Sequence, residues 1–472
     1  MLEASELDWA RAEIPTRVSI IARFRQNLLL KRDSILEALG PLRPHSNRGE
    51  LLASELIPLL DACRFLEQQA SRILAPKRLT RKGQPIWLWG IENTIHREAL
   101  GRILILAPSN YPLFLPIVQA LHAWTAGNSV WLKSAPGSLP LHNLLQQIFR
   151  DSGGSDTLFM LLGEAQECLP ENLSKVHKVI LIGSAQAGIE VGRLAAEALI
   201  PFTAELSGWD SVFIHPEADM EKAARAVAFG LSLNQGRTCV APRRIFLRSS
   251  PENFERHFSE AIKERPSSPL NHNEQKLVTR ECALGAQPIS ASPGHGPVLL
   301  SRIHSKSDLL LEETFGALAI LCVTESDEDA LQQAQRCSYA LGASLFGPEA
   351  WCRELAHRLP AQVVSINDIV VPSADPRLPF GGSGKSGFGR MRGAEGLLEM
   401  TQTRTVSVRQ GGSLDHLSPP NPINDLIVEQ FMLCSHESSL FGKSRAMLKL
   451  VLQIARERIR KKRERIENAK EY

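Results

Sequence analysis

The sequence predicts an α/β protein with two doubly wound layers, because strand patterns and helix patterns alternate along it. The run GRILILAP (101–108) is continuously apolar and ends in turn residues, as expected for a strand buried on both faces of a parallel sheet. A helix, LPIVQALHAWTAG (115–127), and the strands SVWLK (129–133) and KVILIG (178–183) follow it. The cycle repeats from residue 211, which indicates a second α/β unit.

Hydrophobic spacing predicts the remaining elements. Residues 1–75 have apolar side chains at helical intervals, and PIWLWG (85–90) and NTIHREALG (93–101) are predicted strands separated by a turn. The glycine-rich stretch PFGGSGKSGFGR (379–390) is a predicted loop, and SPPNP (418–422) a predicted linker. In the second unit we predict the strand SVFIH (211–215), the helix DMEKAARAVAFGLSL (219–233), and the strands RRIFLR (243–248), LAILCVT (318–324) and AQVVSIN (361–367).

Composition is that of an ordinary globular protein. The chain has 472 residues, 43% hydrophobic and 22% charged, enough for roughly three domains of about 150 residues each. The formal net charge of +3 does not indicate a nucleic-acid partner, and none is expected. Charge is uneven, however, since residues 441–472 contain eleven Lys and Arg against four Glu. The basic part of the protein is therefore its tail.

Cysteine usage and hydropathy indicate a reducing compartment. The eight cysteines have neither CxxC nor other metal-like spacing, so we expect no disulfide framework and no metal site. The amino terminus lacks the apolar core of a signal peptide, and no uncharged apolar run reaches the ~18 residues that a membrane span requires. We expect a cytoplasmic protein.

Three polar residues are candidates for chemistry, each with an ordinary alternative. Cys239 follows the polar residues NQGRT, a setting typical of reactive thiols, although a lone cysteine is more often inert. Glu205, among apolar residues in FTAELSG, could be a general base with a raised pKa or one half of an ion pair. Asn110, between two prolines in PSNYP, could donate to an oxyanion or form an Asx turn.

Two further positions are candidates for binding a phosphorylated ligand. Lys133 ends a predicted strand, where it faces either the ligand crevice of an α/β sheet or solvent. Gly183 and Ser184 lie between a strand and a helix, where free backbone N–H groups bind phosphate, although a plain connecting turn is commoner. The stretch lacks the Walker lysine and is not GxGxxG.

Taken in order, these residues resemble the aldehyde dehydrogenase superfamily. The resemblance runs from about residue 83 to 411 and includes EETFG (312–316) and PFGGSGKSGFGR (379–390). It implies a Rossmann-like cofactor domain, a catalytic domain and a small bridging β element. In residue numbers, it implies an NAD(P)-binding domain of 1–82 and 101–207, a catalytic domain of 208–400, bridging and oligomerisation strands at 83–100 and 401–411, and a linker with a basic helical tail at 412–472.

The resemblance also implies roles. Cys239 would be the nucleophile and Glu205 the base, while Asn110 and the backbone N–H of Cys239 would form the oxyanion hole. Losing such a donor costs roughly 3–4 kcal/mol. NAD or NADP would be held by Lys133, Gly183, Ser184, Glu313 and Phe315. Residues beyond Asn110 would line the substrate tunnel, namely Phe114, Leu115 and Val118. Their side chains suggest an apolar or aromatic aldehyde.

The sequence departs from the family pattern near these positions. Pro136 stands where a glutamate usually contacts the ribose 2′-hydroxyl, so NADP is admissible as well as NAD. Trp209 and Asp210 replace the usual residues after the base, and Arg237 stands where glutamine is common. The segment between Cys239 and Glu313 is short and contains AQPISASPGHGP.

Three functions are therefore weighed. The first is NAD(P)-dependent oxidation of an aldehyde to an acid through a thiohemiacetal and a thioester on Cys239, and Glu205 favours it because thioester hydrolysis needs a base. The second is a coenzyme A-acylating or reductive relative, and the third a non-catalytic scaffold. Strands at 93–101 and 403–409 resemble subunit-bridging strands, so a homodimer is expected. In the tail, apolar residues lie on one face of a predicted helix. This pattern predicts that the helix contacts a protein or lies on the surface of an anionic membrane.

Overall fold

The computed structural model describes residues 2–165, 168–304, 307–311, 313–411, 417 and 422–468. By packing, the chain divides into two units. The first contains Met1–Leu79 and Thr94–Val406, and the second contains Thr80–Asn93 and Ser407–Tyr472.

The amino-terminal region is helical, as predicted. Apolar residues recur one helical turn apart in the second helix, where Ile21, Phe24 and Leu28 are fully buried. The fifth helix packs on the second and begins with a proline in its first turn, where a missing N–H costs nothing. The five helices are α1 (Ala4–Arg11), α2 (Ile14–Leu30), α3 (Arg32–Leu39), α4 (Arg48–Leu51) and α5 (Ile57–Ile73).

Strands and helices alternate in the next part of the chain. The helix predicted after the first buried strand ends at Gly127, whose left-handed φ of 96° stops it without the strain that a side chain would meet. The elements are β1 (Lys77–Arg78), β2 (Ile91–Ala99), β3 (Arg102–Leu106), α6 (Phe114–Ala126), β4 (Ser129–Lys133), α7 (Leu139–Asp151), β5 (Phe159–Leu161), α8 (Cys168–Leu173), β6 (Lys178–Gly183), α9 (Ala185–Glu197) and β7 (Phe202–Leu206).

The second α/β set and the carboxyl-terminal elements complete the fold. They are β8 (Asp210–Ile214), α10 (Met220–Ser232), β9 (Pro242–Leu247), α11 (Pro251–Lys263), β10 (Ser268–Pro269), α12 (His272–Ala283), β11 (Gln287–Ser290), β12 (His295–Gly296), β13 (Val298–Ser301), β14 (Leu318–Val323), α13 (Asp327–Gln335), β15 (Tyr339–Ala340), β16 (Gly342–Phe346), α14 (Glu349–Ala356), β17 (Val363–Ile366), β18 (Ser383–Gly384), β19 (Gly387–Phe388), α15 (Gly393–Leu398), β20 (Thr401–Arg409), α16 (Pro422–His436) and α17 (Leu440–Asn468).

The first sheet has six strands in the order β19-β7-β6-β3-β4-β5. All its pairings are parallel except that of β19 with β7. Successive side chains enter opposite layers: Ile103 and Ile105 pack in the layer that contains α2, α5 and α6, whereas Leu104 and Leu106 pack in the layer that contains α9. Both faces are therefore buried, which explains the apolar run at 103–107.

The second sheet has seven strands in the order β11-β13-β14-β9-β8-β16-β17. It is parallel apart from the edge pair β11–β13. Helices α10 and α11 cover one face, and α13 and α14 cover the other. Two open, helix-covered sheets confirm the predicted fold class. The predicted domain boundaries remain a prediction.

One predicted strand is wrong. PIWLWG contains a short 3₁₀ turn, Ile86–Leu88, and the side chains of Trp87 and Trp89 are 65% and 55% exposed. An apolar pattern alone does not form a strand without a partner to pair with. The small sheet β1-β2-β20 forms where bridging strands were expected, and the tail contains a helix as predicted. The predicted linker SPPNP, apart from Pro422 at the start of α16, lies outside the described residues.

Candidate active site

Glu205 and Cys239 meet between the two sheets. Glu205 lies near the carboxyl end of β7, paired with Ile182 of β6 on one side and Gly387 of β19 on the other. Cys239 lies in the turn between α10 and β9. Its thiol is within hydrogen-bonding reach of the Glu205 carboxyl. The Oε1 atom of Glu205 is buried and has no hydrogen-bond partner among the described residues. The carboxyl can therefore accept a proton from the thiol or from a water.

Burial sets the charge state of this pair. Because the Glu205 carboxyl is desolvated, its pKa is raised to about 7, although the positive charge of Arg392 opposes the shift. Desolvation also raises the pKa of the Cys239 thiol well above its ordinary value, and the negative charges of Glu205 and Asp210 add to this effect. Glu205 is thus poised near neutral pH, as a general base should be.

Asn110 lies beside the loop that contains the thiol. Its Nδ2 donates to the Arg237 carbonyl at 3.0 Å, and Nδ2 of Asn234 donates to the Asn110 carbonyl at 2.9 Å. The next residue, Tyr111, shares a 2.5 Å hydrogen bond with the Thr238 hydroxyl. The rigid turn at 108–112 is therefore tied to the residues that precede the thiol.

The loop before Cys239 has an unusual backbone. Asn234 and Gln235 have positive φ values of 49° and 55°, a conformation that costs free energy for residues other than glycine. Gly236 also has a positive φ, and a Cβ there would lie 2.2 Å from the Gly316 carbonyl oxygen. The loop before Cys239 therefore packs closely against the segment at Gly316 that precedes β14.

Cys239 opens onto a largely apolar cavity of about 470 Å³. Phe114 and Leu115, predicted tunnel residues, both line it, and so do Phe229 and Val371. Val118, the third predicted tunnel residue, is fully buried in the core of the first unit and is not among the residues that line this cavity. Only the first residues of α6 therefore line the cavity.

Three of the predicted cofactor residues lie at or just after the ends of strands in the first sheet. Lys133 ends β4 and faces the carboxylate of Glu164, while its Nζ donates to the Ser134 carbonyl at 3.2 Å. Gly183 ends β6, and the hydroxyl of Ser184 caps α9 by accepting from the Ala187 N–H at 3.2 Å.

Glu313 and Phe315 differ in their surroundings. The hydroxyls of Ser207 and Tyr339 donate to the Glu313 carboxylate, whose pKa is raised because it is partly desolvated. Its Oε2 atom and the hydroxyl of Thr314 are buried without partners among the described residues. Phe315 is 41% exposed. Glu312, the first residue of the EETFG motif, lies outside the described residues.

The two residues after Glu205 that differ from the family pattern, Trp209 and Asp210, have structural contacts. Trp209 is buried, and its indole N–H donates to the Leu309 carbonyl at 2.9 Å. Asp210 begins β8 and accepts from the Gly342 N–H at 3.0 Å. Burial raises the pKa of Asp210 to about 7. These residues join the two sheets next to the thiol without occupying the cavity.

Sequence reasoning missed one residue of the site, Arg392. It lines the same cavity as Cys239 and is only 5% exposed. In sequence it stands in GRMRG, directly after the recognised glycine-rich loop, but arginines are mostly solvated and nothing local marks this one as buried. Only the bridge between Phe380 and Met391, which brings the ends of that loop together, places it at the thiol.

Comparisons with known proteins agree with this architecture. The model of the aldehyde dehydrogenase family matches residues 2–406. A 4,4′-diapolycopene aldehyde oxidase of Methylomonas is 27% identical over 83% of this chain and 77% of that protein. A probable coniferyl aldehyde dehydrogenase of Pseudomonas aeruginosa is 27% identical over 83% of this chain and 86% of that protein. The solved Mycobacterium tuberculosis aldehyde dehydrogenase complexed with NAD⁺ superposes with a TM-score of 0.78, at 22% identity over 86% of this chain and 88% of that one.

Two open, helix-covered α/β sheets with a thiol and a buried carboxyl between them form the framework of this chain. The chain belongs to the aldehyde dehydrogenase family and is an NAD(P)-dependent oxidoreductase that acts on aldehydes.

Proposed function

We propose that the protein oxidises an apolar or aromatic aldehyde to its carboxylic acid, with Cys239 as nucleophile and Glu205 as base. One observation carries the assignment of these roles: the thiol lies within hydrogen-bonding reach of a buried carboxyl whose pKa is near 7, at the wall of a cavity. A structural cysteine would need neither the carboxyl nor the access.

The residues divide the reaction into two steps. The Cys239 thiol passes its proton to Glu205, and the sulfur attacks the aldehyde carbon to form a thiohemiacetal. Asn110 Nδ2 and the N–H of Cys239 donate to the oxyanion, which requires Asn110 to exchange its hydrogen bond to Arg237 for the substrate. Loss of hydride leaves a thioester, and Glu205 releases to solvent the proton that it took from the thiol. A water then gives a proton to Glu205 and attacks the thioester carbon, and the departing sulfur takes that proton back, which leaves the acid and the free thiol.

NAD or NADP fits the residues at the sheet ends. The bound nicotinamide ring supplies the hydride acceptor for this chemistry. The buried, unpartnered Oε2 of Glu313 is suited to accept from a ribose hydroxyl, with Phe315 beside it, and Lys133 offers a cationic donor at the end of β4. Gly183 and Ser184, at the start of α9, suit the pyrophosphate because helix amino termini attract anions. Pro136 supports NADP as well as NAD.

The cavity lining supports the substrate class. Phe114, Leu115, Phe229 and Val371 surround it with apolar surface. The names of the two relatives above refer to 4,4′-diapolycopene aldehyde and to coniferyl aldehyde, which are apolar or aromatic. These side chains, of which Phe229 and Val371 belong to the proposed catalytic domain 208–400, would select hydrocarbon-rich aldehydes over small charged ones.

A panel of aldehydes tests the proposal. We expect acid and reduced cofactor from aromatic or long-chain aldehydes with NAD or NADP, without coenzyme A, and a lower kcat/KM for small hydrophilic aldehydes. Mass spectrometry of the product distinguishes the alternatives. A coenzyme A thioester formed only in the presence of coenzyme A would indicate the acylating relative, and no product with any aldehyde would indicate a non-catalytic protein.

The setting of the enzyme is also a proposal: a cytoplasmic homodimer whose tail contacts an anionic membrane surface. Seven described cysteines have free thiols, as in a reducing compartment. Among the described helices, none combines the length and apolarity needed to cross a bilayer. Apolar residues of α17 nevertheless point to solvent, among them Leu448 (64% exposed), Val451 (56%) and Ile459 (57%).

Charge complementarity favours an anionic lipid surface as the tail's partner. Residues 441–472 hold eleven Lys and Arg against four Glu, and such residues around an apolar face are typical of helices that lie on anionic membranes. In the same unit, Trp87 lines an apolar groove with Phe431 of α16 and Leu450 of α17. Tryptophan is enriched at membrane interfaces.

Vesicle sedimentation tests the tail, with light scattering on the same samples. The full chain should sediment with vesicles containing phosphatidylserine but not with neutral vesicles, and high salt should release it. Val451→Glu with Leu452→Glu should abolish sedimentation, whereas Leu199→Glu, at a 91% exposed leucine of the first unit, should not. Light scattering should give twice the chain mass of 52.1 kDa. If the protein sediments with neither kind of vesicle, the tail's partner would instead be a protein. A mass of one chain in light scattering would contradict the proposed dimer.

A further inference from the structure

Arg392 has a backbone conformation that its side chain makes costly. Its φ and ψ are 64° and 174°, a region that is essentially restricted to glycine. The neighbouring segments hold it there: Met391 pairs with Phe380 through two backbone hydrogen bonds, and the Arg392 carbonyl accepts from the Gly396 N–H at 2.8 Å. Strain of this kind persists at functional sites when the surrounding structure enforces it.

The strain places a buried cation in the cavity. The guanidinium of Arg392 lies 4.4 Å from the ring centroid of Phe380 and 5.8 Å from that of Phe114. Within the described parts of the chain, no carboxylate forms an ion pair with it at 4 Å or less, and it donates no side-chain hydrogen bond. The anionic groups that act on it are Cys239, Glu205 and Asp375, and Asp375 is already paired with Arg377. The guanidinium donors therefore remain available on the side of the thiol and Glu205.

The charged groups around Cys239 make this cation distinctive. Glu205 of β7 and Asp210 of β8 are acidic, and the phenol of Tyr111 also faces the thiol. Arg243 of β9 is the other nearby cation, but its guanidinium donates to the carbonyls of Gly236, Gly316 and Leu318. Of the two described cations that act electrostatically on the sulfur, Arg243 and Arg392, only Arg392 has side-chain donors that the protein does not use.

We propose that Arg392 is a positioning residue that stabilises the thiolate of Cys239 and holds it towards the cavity. The step it assists is transfer of the thiol proton to Glu205, which leaves a sulfur anion beside the guanidinium and a neutral carboxyl. This proposal rests on the assignment of Cys239 as nucleophile. Removing the cation should raise the pH at which the thiol ionises by about 1–3 units, the usual effect of one opposite charge at close range.

Alkylation of Cys239 by iodoacetamide measures this directly, because only the thiolate reacts. The rate is followed against pH by mass spectrometry of the peptide that contains Cys239, so the other thiols do not interfere. The variant is Arg392→Gly, since glycine adopts the native backbone angles without strain and the fold should be retained or stabilised. We expect its alkylation midpoint to rise and its rate at neutral pH to fall at least about tenfold.

Rescue and matched variants separate an electrostatic role from a structural one. Methylguanidinium added to Arg392→Gly should restore much of the alkylation rate, and Arg392→Lys should keep a midpoint close to that of the wild type. Arg265→Met, which removes an arginine from the same cavity that stacks on Phe229, should leave the midpoint unchanged. A wild-type midpoint in Arg392→Gly, or a shift that neither lysine nor methylguanidinium reverses, would overturn the proposal. The readout needs no aldehyde turnover, so failure of the oxidation assay does not affect it.

Discussion

Replacing Cys239 with alanine should reduce aldehyde oxidation at least about 10⁴-fold while the protein remains folded. Removal of a covalent nucleophile costs this much or more in comparable enzymes. Without the sulfur, no thiohemiacetal forms, and a water in the apolar cavity cannot replace it as a nucleophile towards the aldehyde. The measurement is kcat/KM with the best aldehyde of the panel, together with the thermal midpoint of each protein. We expect the midpoint to change by only a few degrees because Cys239 lines a cavity and is only partly buried.

Cys282→Ala is the matched control for this substitution. Cys282 is another free, partly exposed thiol, located in α12 rather than beside Glu205. It should retain the kcat/KM of the wild type. Comparable losses in both variants, or residual activity of Cys239→Ala above a few per cent, would show that the chemistry does not pass through the proposed thioester.

Glu205→Gln should convert the enzyme to one that reacts once and stops. In acylation Glu205 only receives the thiol proton, which solvent can accept in its place at a slower rate, whereas hydrolysis of the thioester requires a base for the attacking water. We expect a burst of about one reduced cofactor per active site, followed by a steady rate roughly 10²–10⁴-fold below that of the wild type. Rapid mixing measures the burst. Mass spectrometry of the quenched protein should find the acyl group on the peptide that contains Cys239.

The dependence of the steady rate on pH tests whether Glu205 acts as the base. Burial raises the pKa of Glu205 to about 7, and the carboxyl must be ionised to accept a proton from water. The steady rate of the wild type should therefore fall as pH decreases through about 7, and Glu205→Gln should lose this inflection. Asp210 also has a pKa raised to about 7, so Asp210→Asn is needed as the control. It should keep multiple turnovers and the inflection, and if it lost the inflection instead, Asp210 would be the titrating group.

The fold could be read largely from the sequence because its signals are local or periodic. The strand Arg102–Leu106 is apolar after its first residue because both faces of the sheet are covered, and the helix after it ends where Gly127 permits a left-handed turn. The prediction of a strand at 85–90 was wrong because a local apolar pattern does not show whether a partner strand is present. Val118 illustrates the limit within a correct helix: periodicity places it on an apolar face but cannot distinguish core from cavity.

The sequence by itself determined the class of the fold and the order of the motifs, and it marked a thiol, a carboxyl and an amide as candidates, because each of these signals lies in a short stretch of neighbouring residues. Only the tertiary structure decided their electrostatics. A pKa depends on desolvation and on charges brought together from distant parts of the chain, so the shift of Glu205 to about 7 required β6, β7 and β19 to be assembled. Arg392 became part of the site for the same reason: a loop closed by Phe380 and Met391 buries it beside Cys239, 153 residues away in sequence.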